Sequence, residues 1–176
     1  MVPILDQLHL QYAIQLAEGD SVEAPHGAVR SRGVQHGTLV LEIDAAVLFN
    51  IVATLRDQHA FDMLLDVTAV DWPDAPLRFE VVWHLLSTTH KVRVRLKTRV
   101  SAQDPTVDSL TALFGSAGYM ERECHDMYGI RFRGNADMRP ILLYEGFHGH
   151  PLRKDYPKQK EQPLVPYRPP QSALVR

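Results

Sequence analysis

The chain is short of cysteine, and that shortage removes several functions at once. Cys124 is the only cysteine in 176 residues, so no disulfide can close within the chain and four of its own thiolates cannot hold an iron–sulfur cluster. Long apolar runs are missing too. The longest, residues 45–55, is about half of a membrane span and already contains Asn50. Neither sign of charge dominates: 19 Lys and Arg stand against 21 Asp and Glu, for a net charge of −2. That is far from the strongly basic balance of a nucleic-acid-binding domain. Neither glycine-rich phosphate loop is present, whether of Walker or of Gly-x-Gly-x-x-Gly spacing. Residues 1–20 lack a positive start followed by an apolar run, and Asp6, Glu18, Asp20 and Glu23 argue against an acid-poor transit segment. The expectation is a cytosolic chain that reaches a membrane only through a partner.

What is present suits one globular domain: 45% hydrophobic and 23% charged residues, with enough length for a real core. Residues 4–17 carry an amphipathic helical pattern ended by Gly19 and Asp20, and a short strand is expected near Val22. Gly33 and Gly37 bracket a predicted turn, after which Thr38–Ile43 alternates with Leu39, Leu41 and Ile43 on one face. Asp44 is a candidate N-cap for a helix over residues 45–59. Three strands follow, at 61–70, 78–86 and 91–100, the first two separated by Trp72-Pro73-Asp74-Ala75-Pro76. In the third, Val92, Val94 and Leu96 point one way and Lys91, Arg93, Arg95, Lys97 and Arg99 the other. Asp104 and Pro105 predict a short helix ending at Gly115, and a second helix is expected over 117–128, stopped by Gly129. This order predicts an α+β two-layer fold: a mixed, mostly antiparallel sheet of about five strands with helices on one face.

The end of the chain differs in character. Six of the last 26 residues are proline, and six Lys or Arg against Asp155 and Glu161 give the segment +4. The remainder must then carry −6, since the total is −2. Such a segment has no core of its own. The sequence therefore divides into a body, 1–150, and an extended basic tail, 151–176, which is either a disordered terminus or an arm laid on another subunit.

The densest polar cluster is Glu121-Arg122-Glu123-Cys124-His125-Asp126, followed by Met127-Tyr128-Gly129-Ile130. On a helix Glu121 shares a face with His125, and Arg122 with Asp126. Two readings stay open: an acid–base site using Glu121, Glu123 or His125, or helical ion pairs ending at a glycine cap. Cys124 and His125 are adjacent and so point about 100° apart on a helix, a poor nucleophile pair. His148-Gly149-His150 lacks the further ligand a metal needs. The basic strand face is either a wetted sheet surface or a contact for phosphate, membrane or an acidic partner.

At residues 121–130 the sequence is similar to the signature of the 30 kDa subunit family of respiratory complex I: Glu-Arg-Glu, two variable residues, Asp, an apolar or aromatic pair, then Gly-Ile. Asp137-Met138-Arg139-Pro140-Ile141-Leu142-Leu143, the run from Gly149 through His150, Pro151, Leu152, Arg153, Lys154, Asp155 and Tyr156 to Pro157, and Asp66-Val67-Thr68-Ala69-Val70-Asp71 resemble further family segments. Two departures stand out. Gly118-Tyr119-Met120 replaces a common tryptophan before the signature, and Gly146-Phe147-His148 replaces a tryptophan-containing turn. The resemblance implies an α+β subunit of a proton-translocating NADH:quinone oxidoreductase, without catalytic, metal or cofactor residues of its own. NADH, FMN, iron–sulfur clusters and quinone would belong to partner subunits of the peripheral arm, on the cytoplasmic side of the inner membrane. Nucleic acid would not be a partner. Glu121, Arg122, Glu123, Asp126, Gly129, Ile130 and the segment His150–Tyr156 would form the signature and interface. Alternatives are the equivalent subunit of a membrane-bound hydrogenase or related quinone-reducing complex, a free-standing hydrolase or lyase, and a nucleic-acid module using the basic strand.

Overall fold

The computed structural model describes residues 29–159 and residue 162; the helix expected over 4–17, the strand near Val22 and most of the basic tail lie outside them. Two strands open the described part. β1 (Val29–Gln35) pairs antiparallel with β2 (Thr38–Ile43). Gly33 lies inside β1 and does not bracket the turn; the hairpin closes on His36 and Gly37 alone, both at positive φ (51° and 75°). That is the backbone of a two-residue primed turn, whose twist matches the strands.

Asp44 caps the next helix as expected, its side chain accepting the N–H of Ala46 at 3.1 Å. One 3-10 turn, Ala45–Val47, leads into α1 (Leu48–His59). Leu48, Ile51, Val52 and Leu55 form its buried stripe at helical spacing. It ends at Ala60, which takes the left-handed conformation with φ 56°.

α1 carries the chain to the far edge, where β3 (Met63–Asp71), β4 (Phe79–Ser87) and β5 (Val92–Val100) form an antiparallel meander. β5 returns to lie parallel to β2, giving one sheet of order β1-β2-β5-β4-β3. The architecture is the mixed, mostly antiparallel five-stranded sheet that the alternation pattern predicted. One register detail differs. The ladder slips between Leu64 and Asp66, so residues 63 and 65 do not continue the face of Val67 and Ala69 as the spacing suggested, while Phe61, ahead of the strand, is in the core as expected. Leu64 is buried and Met63 is 48% exposed, because a bulge moves an extra residue into one strand and reverses the parity before it.

The expected helix after Asp104 is absent. Instead β6 (Thr106–Asp108) pairs in parallel with β7 (Arg131–Arg133), a short second sheet. Thr106 and Val107 are β-branched and suit a strand, while the partner strand lies 25 residues away, out of reach of any local pattern. Asp104 binds Arg131 at 2.7 Å, so it caps a strand pair and not a helix. α2 (Ala117–Tyr128) then follows as predicted and ends at Gly129, φ 74°.

The core lies between the sheet and the helices. Trp83, Phe61, Phe79, Leu48, Leu55, Leu85, Leu96 and Ile130 are fully buried there, each contributing roughly 1.5–3 kcal/mol relative to exposure. No helix among the described residues is long and apolar enough to cross a membrane.

Candidate functional site

The polar signature of α2 sits where the helix meets everything built after it. Glu121 is fully buried. Its carboxylate accepts the N–H of Leu110 at 2.7 Å, the Ser109 hydroxyl at 2.8 Å and the Asn135 amide at 2.9 Å. A buried carboxylate is tolerated only with such partners. Burial pushes its pKa up and the three donors pull the other way, leaving it above the ordinary carboxylate range. These bonds tie α2 to the segments that leave β6 and β7.

One turn on, Asp126 does the same for a loop. A single oxygen, Oδ2, accepts the backbone N–H groups of Ile141, Leu142 and Leu143 at 2.9, 2.8 and 3.2 Å. Burial pushes this carboxyl up, but the three amides outweigh that effect and hold it below the ordinary range. Arg122, on the same helix face, donates to the carbonyls of Arg139 and Pro140 at 2.8 and 3.0 Å. Its nearest carboxylate atom belongs to Asp137, at 3.7 Å. Arg122 and Asp126 therefore share a face as the spacing implied, yet each is engaged with loop backbone. Glu123 is exposed on the other side of the helix.

The segment 150–155 closes the end of α2. A helix leaves its last four carbonyls without internal partners, here those of residues 125–128. Gly129 N–H binds the first at 2.7 Å. His150 Nδ1 binds the Asp126 carbonyl at 2.9 Å, Leu152 N–H the Met127 carbonyl at 3.1 Å, and Arg153 Nε the Tyr128 carbonyl at 2.6 Å. All four are satisfied. Arg153 also lies over the Phe79 ring, 4.9 Å from its centroid, and burial lowers its pKa. Beyond it the strap reaches the sheet. Lys154 N–H binds Asp71 at 2.7 Å, and Arg78 bridges Asp71 (2.6 and 2.8 Å) to Asp155 (2.8 Å). The Arg78 guanidinium holds the Asp71 carboxyl below the usual range. Tyr156 stacks on Phe147 at 6.1 Å. A division of the chain at residue 151 thus cuts through this strap.

Gly129 is required twice over. Its φ is one that side chains avoid. A Cβ there would also lie 2.6 Å from His150 Cδ2 and closer still to His150 Nε2 and Arg153 Nη2. The residue after it, Ile130, is buried in the core, while Pro151 is half-buried.

This geometry offers little to acid–base chemistry. Glu121 has no exposed surface. The Nδ1 of His125 lies 2.8 Å from the Ile130 carbonyl, which can only accept, so that nitrogen carries the proton. Cys124 is 2% exposed, and burial pushes its thiol far up, away from a nucleophilic thiolate. His148 is exposed and donates its backbone N–H to Gln162, at 2.9 Å. Among the described residues no group of three or more His, Cys, Asp or Glu is placed to hold a metal. Asn135, Ser109, Asp71 and Arg78 are functional parts of this assembly that the sequence did not single out as such. Only the Asp at the end of the family-like strand, Asp71, carried any signal.

The surface over the clasped loop is apolar. Leu142 is 59% exposed and Leu152 49%, with Ile141 and Tyr144 near 38–39%.

Comparison with known proteins agrees with this arrangement. The C subunit of NADH-quinone oxidoreductase from Xanthobacter autotrophicus is 46% identical over 133 residues, covering 74% of this chain and 63% of that protein. The Erythrobacter litoralis counterpart is 40% identical over 141 residues, 80% and 53% of the two chains. That of Rhodopseudomonas palustris is 44% identical over 146 residues, 81% and 73%. The chain thus spans just over half to under two thirds of the first two relatives' length. A solved trypsin-resistant fragment of Nqo5 superposes with a TM-score of 0.57 at 29% identity, over 61% of this chain and 88% of that one. A chain of an archaeal membrane-bound sulfane sulfur reductase shares the fold alone, with a TM-score of 0.67 at 23% identity, over 76% and 80%. The profile of the respiratory-chain NADH dehydrogenase 30 kDa subunit matches residues 41–162, the whole span from β2 through the strap, and the chain belongs to that family.

Proposed function

We propose that the chain is a scaffold subunit in the peripheral arm of a proton-translocating NADH:quinone oxidoreductase. It binds no redox cofactor itself and packs against the cluster-carrying and quinone-site subunits. The complex holds it on the cytoplasmic side of the cell membrane. One observation carries this reading: the signature side chains Arg122 and Asp126 fix an irregular loop whose outward residues are Ile141, Leu142 and Tyr144. Clustered exposed apolar residues on a rigidly held loop are what a protein partner covers. The body is completed by the strap through Tyr156, to which Gln162 is also bound, and the arm that lies on neighbouring subunits begins beyond it.

The test is complementation of a strain lacking the chain. Leu142→Asp with Leu152→Asp should leave the isolated protein's Tm unchanged while membranes lose NADH-driven quinone reduction. Full activity from this double variant at normal abundance would refute the docking role. Removing residues 163–176 should likewise spare the fold and impair assembly, whereas a cut at 150 should also lower Tm by stripping carbonyl caps from α2.

A further inference from the structure

The helices cover one face of the five-stranded sheet, and the other face carries the cations of β5. Arg93, Arg95, Lys97 and Arg99 alternate there with the buried Val92, Val94, Leu96 and Thr98. Their surroundings are uneven. At one end Glu80 binds Lys97 at 2.9 Å and Arg99 at 3.1 Å, with Glu42 4.0 Å from Arg99. At the other end the register places Arg93 opposite Leu86, and Arg95 between Val40 and His84. The nearest acid in that row is Asp66, on the edge strand beyond His84. Neither Arg93 nor Arg95 has an ion pair among the described residues, whereas the Nε atoms of Arg95 and of the ion-paired Arg99 are alike buried without a hydrogen-bond partner.

We propose that this end of the sheet face, centred on Arg93 and Arg95, receives an extended acidic segment of a partner subunit; the proposal rests on the subunit reading above. A docked carboxylate would accept from the outer N–H groups of the planar fork that arginine offers, and would neutralise two cations that stand side by side. Side chains two apart on one strand stand about 6.6–6.8 Å from each other. An extended partner segment with carboxylates at alternate positions repeats at the same interval and meets Arg93 and Arg95 together. No Phe, Tyr or Trp stands beside Arg93 or Arg95 in the register, where the one ring is the His84 imidazole, so the row of stacking aromatics that single-stranded nucleic acid uses is missing there. The face also lies apart from the loop of Leu142, giving the protein two docking surfaces of different chemistry.

A photo-crosslinking residue placed at Arg93 in the tagged full chain, inside cells that assemble the complex, tests the proposal directly. A second probe at Leu142 reports on the apolar docking face independently. The expected result is crosslinking from position 93 into another subunit, at a segment with Asp or Glu at alternate positions. Arg93→Ala with Arg95→Ala should then reduce retention of that subunit by about tenfold or more at moderate salt, and Arg95→Lys should restore part of it. Three outcomes overturn the proposal while leaving the subunit reading intact: crosslinks from 142 but none from 93, crosslinks from 93 into residues 1–28 of the same chain, or crosslinks into a neutral or basic segment. If neither probe reaches a partner, both readings fall.

Discussion

Replacing Gly129 by alanine should damage this protein more than any other single-methyl change at a glycine among the described residues. The backbone there has φ 74°, a conformation that costs alanine about 1 kcal/mol relative to glycine. The added Cβ would also overlap His150 and Arg153, and moving them breaks the bonds to the Asp126 and Tyr128 carbonyls. A neutral hydrogen bond contributes about 0.5–1.5 kcal/mol and one from a charged donor about 1.5–3 kcal/mol. The sum is about 3–5 kcal/mol, and for a chain of this length about 2–4 °C per kcal/mol gives a fall in Tm of about 6–20 °C. Thermal unfolding followed by circular dichroism would read it, with Gly115→Ala as the control, since no atom lies within 4 Å of a Cβ there and its φ is unremarkable. A Gly129→Ala variant melting within about 2 °C of the parent, less than 1 kcal/mol, would show that the strap does not press on Gly129.

Three further outcomes follow from the same geometry. Asp126→Asn should destabilise by about 2 kcal/mol or more at neutral pH, because three amides lose a charged acceptor; since the folded carboxyl lies below its ordinary range, that contribution is present above about pH 4 and lost as pH falls through the depressed value, so parent and variant denaturation curves should converge in acid. Ala60→Gly should raise Tm by about 2–4 °C, as the left-handed C-cap of α1 (φ 56°) would be relieved of about 1 kcal/mol. Cys124 should resist alkylation in the native protein at pH 8 and react promptly in denaturant, because the thiol is buried and its pKa raised; prompt native labelling would contradict its place in the core.

How much of this was legible in the sequence depended on the range of the interaction. The Asp44 cap, the stripe of α1, the alternation in β5 and the stop at Gly129 are local, and each sits where its pattern placed it. β6 and β7 were hidden because each is three residues long and finds its partner far along the chain. The bulge after Leu64 was hidden because alternation continues on paper through a residue that the ladder skips. In the site, family likeness drew attention to the residues of this junction but not to the contacts they make. Spacing suggested that Arg122 would pair with Asp126, whereas each reaches loop backbone around residues 139–143. No periodicity encodes such contacts, since the acceptors and donors belong to peptide groups that every residue has. The run from Pro151 to Asp155 reads as the start of a tail because it opens a stretch rich in proline and basic residues. Its role as a helix cap depends on backbone N–H and side-chain nitrogen positions that only the folded chain defines.

The scaffold role itself is tested most directly by affinity purification of the tagged full chain from mildly solubilised membranes, with every co-purifying protein identified. A member of the peripheral arm should bring down iron–sulfur and NADH-oxidising subunits in fixed proportion to itself. Recovery of the chain alone, or with proteins that include neither, would contradict it.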